Sequence, residues 1–144
     1  MNGEPPSGDD FSRCLLLNTV KTSRALLRRY DEKLSAHDSS VAQFSVLAAV
    51  RYARGRTIHD LAATIAMDRT TLSRNLDLLA RKGLIVKEAA GKGNARVCRL
   101  TDAGERLLAT LIPQWREAQR EMQVLLAGRD RDEFLSVLQI LARG

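Results

Sequence analysis

The sequence predicts a mainly α-helical fold with one small two-stranded β-hairpin, and three observations carry that expectation. Six segments space their apolar residues at three- and four-residue steps, the period of a helix that buries one face. One region, residues 84–100, holds two short runs rich in apolar and β-branched residues around a glycine-bearing connection, the pattern of a hairpin. Finally, between Arg69 and Arg99 stand eight basic residues against two acidic ones, Asp77 and Glu88, a net of six positive charges that equals the net charge of all 144 residues. The rest of the chain therefore balances, and the excess charge belongs to one structural unit. A localised basic surface on a compact fold is the electrostatic footprint of a polyanion binder, most often of nucleic acid.

The length suits one domain or one compact protomer, able to bury roughly 68–70% of its unfolded surface, so no disulfide framework is needed. The sequence pI near 9.9 fits nucleic acid or an anionic membrane, but no apolar run approaches the ~18 residues of a spanning helix, and no membrane partner is expected. Residues 1–9 are polar and rich in Pro and Gly; they are expected to be a disordered tail and lack the apolar run of a secretory signal, so a cytoplasmic location is expected. Cys14 and Cys98 lie in different elements without metal-ligand spacing, and His37 and His59 have no cysteine partners nearby. Neither a metal site nor a cofactor is expected, and both thiols are expected to be reduced.

The first helix should start at Phe11, where Phe11, Cys14, Leu15, Leu17, Leu26, Leu27, Tyr30 and Leu34 form a broad apolar surface. Ser40-Val41-Ala42-Gln43 has the S-x-x-Q form of a capping box and predicts a second helix over about 41–53, stopped by Gly55. Thr57 caps a third, with Asp60 in its first turn and Ile58, Leu61, Ala62 and Ile65 facing inward. After the turn Ala66-Met67-Asp68, the Asp68 carboxylate caps a fourth helix from Arg69 to about Lys82, broken by Gly83. On it Leu72, Leu76 and Leu79 fall within about 60° of one another, and Thr70, Arg74, Asp77 and Arg81 occupy the opposite face. Leu84 to Ala89 and Arg96 to Leu100 form the hairpin. Thr101 caps a long helix from Asp102 to about Ala127, in which Pro113 is expected to kink the axis, and Asp130 opens a last helix with the stripe Phe134, Val137, Leu138 and Leu141.

A tri-helical unit whose last helix presents Thr and Arg outward, followed by a glycine-tipped basic hairpin, has the pattern of a winged helix-turn-helix. Such a helix fits the major groove, where Arg pairs with guanine and Asn with adenine, while a hairpin can lay Lys92 and Arg96 along the backbone or into a minor groove. The stretch Asp68-Arg69-Thr70-Thr71-Leu72-Ser73-Arg74-Asn75-Leu76, continued by Leu79-Ala80-Arg81-Lys82-Gly83-Leu84-Ile85, resembles the recognition helix of the MarR family of transcriptional regulators. Gln43-Phe44-Ser45-Val46-Leu47 and Leu100-Thr101-Asp102-Ala103-Gly104 resemble two further motifs of that family, over residues 11–143 in all.

The resemblance implies a homodimer built from helices in 10–36 and 102–144, holding two winged domains, 37–101, over successive major grooves of a pseudo-palindromic duplex. It also implies a repressor that a ligand or an oxidant displaces. DNA contacts are expected from Arg69, Thr70, Thr71, Ser73, Arg74, Asn75, Lys92 and Arg96, with Arg69 open to a packing role instead. Two departures from the family pattern stand out. The wing tip reads Asn94-Ala95-Arg96 where Asp-x-Arg is usual, and Asp38-Ser39-Ser40 replaces the usual Gly-Leu-Thr before the second helix.

Two residues carry alternatives. Trp115, the single tryptophan, is either the aromatic wall of a small-molecule site or part of the dimer core. Cys14 is either a redox-sensing thiol or a small core residue. No nucleophile, base and orienting group stand at a recognisable spacing and no phosphate-binding glycine loop occurs, so an enzyme is not expected. A winged helix used for protein contacts is the remaining alternative, and it calls for an apolar or acidic face where this one is cationic.

Overall fold

The computed structural model describes residues 11–53, 56–91 and 93–143. The tail at 1–9, the Gly55 stop and Lys92 lie outside the described residues. Six α-helices and one hairpin follow in chain order: α1 (Leu15–Leu34), α2 (Val41–Tyr52), α3 (Ile58–Thr64), α4 (Arg69–Arg81), β1 (Ile85–Ala89), β2 (Arg96–Leu100), α5 (Asp102–Leu125) and α6 (Arg131–Arg143). None of these helices is long and apolar enough to cross a membrane.

The first helix begins later than its apolar pattern suggests. Phe11–Arg13 is a 3-10 turn, Cys14 is extended, and the amide of Asn18 donates to the carbonyls of Ser12 and Cys14. These bonds serve carbonyls of the turn and of the residue preceding α1, and regular winding starts only at Leu15. The second helix differs at its cap. Ser40 accepts from the N–H of Gln43 as expected, but the Gln43 side chain does not return the bond, and its buried Oε1 has no partner. Asp31 of α1 instead accepts a 2.7 Å hydrogen bond from the N–H of Val41, satisfying another of the donors that a helix start leaves open.

One core holds α2, α3, α4, the hairpin and the first half of α5. It is centred on Leu47, Leu61, Leu72, Leu76, Leu79 and Leu111, and Leu34 from α1 joins it. An ion pair of 2.9 Å from Arg51 to Glu105 fastens α2 to α5, and one of 2.5 Å from Lys33 to Glu121 fastens α1 to the same helix. α5 continues through Pro113, which has no N–H to donate to the carbonyl of Ala109.

The joint between α4 and α5 explains the Leu-Thr-x-x-Gly step. α4 ends in a Schellman closure: Gly83 adopts a φ of +70°, its N–H bonds the carbonyl of Ala80, and the N–H of Leu84 bonds that of Leu79. Leu84 is thereby used in the helix end, and the strand begins one residue later than expected. The Thr101 hydroxyl then donates to the carbonyl of Gly83 at 2.6 Å while accepting from the N–H of Gly104. Gly104 lies so near that a Cβ there would come within 2.0 Å of the Leu84 carbonyl oxygen.

α6 stands apart. None of its residues is buried, and Phe134, Val137, Leu138 and Leu141, the predicted stripe, are 37–52% exposed. Leu15, Leu16, Leu17, Leu125 and Val124 are exposed as well, so the ends of α1 and α5 add to an apolar surface that one copy of the chain leaves uncovered.

Candidate nucleic-acid interface

The unit that would meet DNA is assembled by local caps. Thr57 and Asp60 form a closed capping box at the start of α3, each side chain bonding the other residue's N–H. Ala66, at a φ of +50°, turns the chain toward α4, and the N–H of Met67 closes on the carbonyl of Ala62. Asp68 then caps α4, accepting from the N–H of Thr71 at 2.8 Å and from its hydroxyl at 2.6 Å. These bonds hold the carboxyls of Asp60 and Asp68 below their ordinary range.

The leucine stripe of α4 is fully buried, and Arg69, Thr70, Ser73 and Arg74 are exposed on the remaining faces. Two of the predicted contact residues are already engaged within the helix. The Thr71 hydroxyl is committed to Asp68, and the half-buried Asn75 amide donates to the carbonyl of Thr71 at 2.9 Å.

The hairpin pairs antiparallel from Ile85 opposite Leu100 to Ala89 opposite Arg96, and the N–H of Ala90 reaches the carbonyl of Ala95 across the tip. Gly91 and Gly93 both take positive φ, a requirement that favours glycine in this tight return. Arg96 is exposed at the first position of β2. A bridge between Thr57 and Val97 ties the hairpin to the start of α3, a link that no local pattern announces.

The two acids of the basic window are both neutralised. Asp77 on α4 pairs with Lys87 on β1, which also lowers its carboxyl's pKa, and Glu88 pairs with Arg99 across the hairpin at 3.1 Å. Among the described residues, no ion pair involves Arg69, Arg74, Arg81, Lys82 or Arg96. The cationic surface inferred from the sequence is thus carried by side chains that form no ion pair among the described residues. Lys92 lies outside the described residues.

Trp115 lines a cavity of about 510 Å³ bounded by α1, α2, α5 and α6. Its ring stacks on Phe44 with centroids 6.2 Å apart and planes 25° from parallel. Tyr30 also lines the cavity, and burial pushes its phenol pKa up. Cys14 is half-buried and does not line the cavity, although its neighbour Leu15 does. Burial raises the thiol pKa of Cys98, in keeping with a packing role. The described residues contain no group of three or more His, Cys, Asp or Glu able to hold a metal ion.

A family model described as MarR family matches residues 37–94. The chain is similar to the transcriptional regulator MosR of M. tuberculosis, with 30% identity and a TM-score of 0.82 over 92% of this chain and 96% of that one. MosR in complex with DNA matches at 30% identity with a TM-score of 0.77, over 88% and 92%. The transcriptional repressor CouR bound to a 23-mer DNA duplex is 26% identical with a TM-score of 0.81, over 97% and 99%. CouR is also seen bound to p-coumaroyl-CoA, again 26% identical with a TM-score of 0.81, over 96% and 99%. No curated protein sequence matches the chain.

Proposed function

The chain belongs to the MarR family of winged helix-turn-helix transcriptional regulators, and from that premise we propose that it is a cytoplasmic repressor. In this reading it binds a pseudo-palindromic operator as a homodimer and leaves when a small molecule occupies the Trp115 cavity. The observation that carries the reading is the exposed face of α4. Thr70, Ser73 and Arg74 are exposed beside a fully buried leucine stripe, and among the described residues none of Arg69, Arg74, Lys82 and Arg96 forms an ion pair.

Side chains so placed are free to meet phosphates and base edges, with α4 in the major groove and Arg96 on the wing against the backbone. Thr71 and Asn75 contribute chiefly by holding the start of α4 in shape, with the Asn75 carbonyl oxygen and second N–H still open to a base. The uncovered apolar surface of α6 and of the ends of α1 and α5 supports the homodimer, and two-fold symmetry would set half-sites about one helical turn apart. CouR's complexes with DNA and with p-coumaroyl-CoA support an operator that a small ligand vacates.

A second reading, release by oxidation of Cys14, has one observation in its favour. Cys14 stands at the N-cap of α1, half-buried, with its side chain making no capping hydrogen bond.

Fluorescence anisotropy with duplexes drawn from the chain's own upstream region tests the main reading. Two protomers per duplex and an affinity that falls steeply with salt are expected. A protein with no salt-sensitive affinity for any double-stranded DNA ends the proposal.

A further inference from the structure

The ion pair between Asp77 and Lys87 joins α4 to the hairpin, and it bears on how Arg96 would reach DNA, an inference that rests on the DNA-binding reading above. We propose that Asp77 is a positioning residue: through Lys87 it holds β1 against α4 and so fixes where Arg96 meets the duplex relative to the bases under α4.

Asp77 has nearer partners than the one it takes. Arg74 and Arg81 stand three residues before it and four after it, spacings that bring side chains together on a helix. Among the described residues its only ion pair is nevertheless with Lys87, in another element. The Asp77 side chain is 58% exposed and that of Lys87 27%, so the lysine is the more enclosed partner and the carboxylate needs no counter-charge on account of burial.

The register of the hairpin places that lysine between the core and Arg96. Ile85, Lys87 and Ala89 alternate onto one face, opposite Leu100, Cys98 and Arg96 in that order. Ile85, Leu100 and Cys98 are buried, so this face is turned to the core. Arg96 stands on it two residues beyond Cys98, a step of about 7 Å. β2 is fastened separately, by the backbone bridge between Thr57 and Val97 at the start of α3. Among the described residues no other side-chain hydrogen bond or ion pair runs from β1 to α4. Without the pair, β1 is free to tilt about the edge that β2 secures, carrying Arg96 with it. A carboxylate that only neutralised Lys87 would act in the opposite sense, since its loss would free a cation for the phosphates.

Anisotropy against a duplex from the chain's own upstream region that binds the parent tests the two senses. Parent, Asp77→Asn, Lys87→Met and Lys87→Arg proteins are each measured with and without Arg96→Ala, at several salt concentrations. The loss caused by Arg96→Ala should shrink by about threefold or more in Asp77→Asn and Lys87→Met, and match the parent in Lys87→Arg, which keeps the charge. An equal loss in the parent and in Asp77→Asn overturns the proposal. So does tighter binding by Asp77→Asn with a salt slope steeper by about one, the mark of a lysine released to a phosphate.

Residual dipolar couplings of backbone amides in the free, full-length protein give an answer without DNA. Those of β1 and β2 should shrink by about one-fifth relative to those of α4 in Asp77→Asn and Lys87→Met. An unchanged ratio overturns the placement. A parent protein in which Arg96→Ala changes nothing counts against the wing contact of the operator reading, and the couplings still decide whether Asp77 holds the hairpin.

Discussion

The carboxylate of Asp31, in the last turn of α1, holds the first backbone N–H of α2 through a 2.7 Å hydrogen bond to Val41. The contact joins a helix assigned to dimerisation to the helix that carries Phe44 at the cavity and Arg51 at its far end. It also supplements the Ser40 cap where the Gln43 side chain does not close the box.

Removing that acceptor leaves a helix-start donor unserved in a half-buried site. Asp31→Ala is expected to lower the unfolding free energy by about 1–2 kcal/mol, and Asp31→Asn, which retains an acceptor, by less. Urea denaturation of the three proteins checks this, and equal midpoints for parent and Ala variant would sink the idea.

At Gly104 the issue is room. A Cβ within 2.0 Å of the Leu84 carbonyl oxygen cannot be accommodated without moving backbone, because its neighbour is the end of α4 and not a pliable side chain. Gly104→Ala should therefore cost about 3 kcal/mol and weaken DNA binding by disturbing the seat of the hairpin. Denaturant midpoints and anisotropy on the same preparation report both effects; an undisturbed midpoint would contradict the crowding argument.

Arg74 and Arg96 should fail in different ways. Arg74→Ala is expected to relax preference at one base pair by about 1–3 kcal/mol, the worth of a bidentate contact. Arg96→Ala should weaken binding to every sequence alike and reduce the salt slope by about one. Titrations against single-base operator variants at several salt concentrations separate the two roles, and an unchanged base preference would remove Arg74 from the reading set.

Acid should loosen the capped helices from their starts. The folded-state pKa values of Asp60 and Asp68 are depressed, chiefly by hydrogen bonds from Thr57 and Thr71 respectively. Their contribution is fully present above the ordinary carboxyl value of 3.8 and is lost as pH falls through the lower folded values. Stability measured against pH should therefore drop more steeply below that value in the parent than in an Asp60→Asn, Asp68→Asn double variant. Parallel acid limbs would show that these caps do not titrate as described.

What could be read from the sequence is local. Ser40, Thr57, Asp68 and Thr101 each accept from the N–H three residues on, so each cap lies within a four-residue window. The α4 stripe is likewise a matter of angular spacing, and all three leucines are buried. The bonds between Asp31 and Val41, between Thr57 and Val97, and between Lys33 and Glu121 join segments that periodicity treats separately. Periodicity tells which face of a helix is buried and is silent on the neighbour it meets. For the same reason the spacing around Trp115 did not announce Phe44, on which its ring stacks beside a cavity. Thr71 and Asn75 illustrate a different gap, since outward-facing polar residues can be consumed by bonds inside their own helix.

The uncovered stripe of α6 has a regulatory corollary. If that surface is satisfied only by a second copy, the species competent for an operator forms in proportion to the square of free protomer abundance. Operator occupancy would then change more sharply than expression does, so that modest dilution at cell growth could lift control with no effector present.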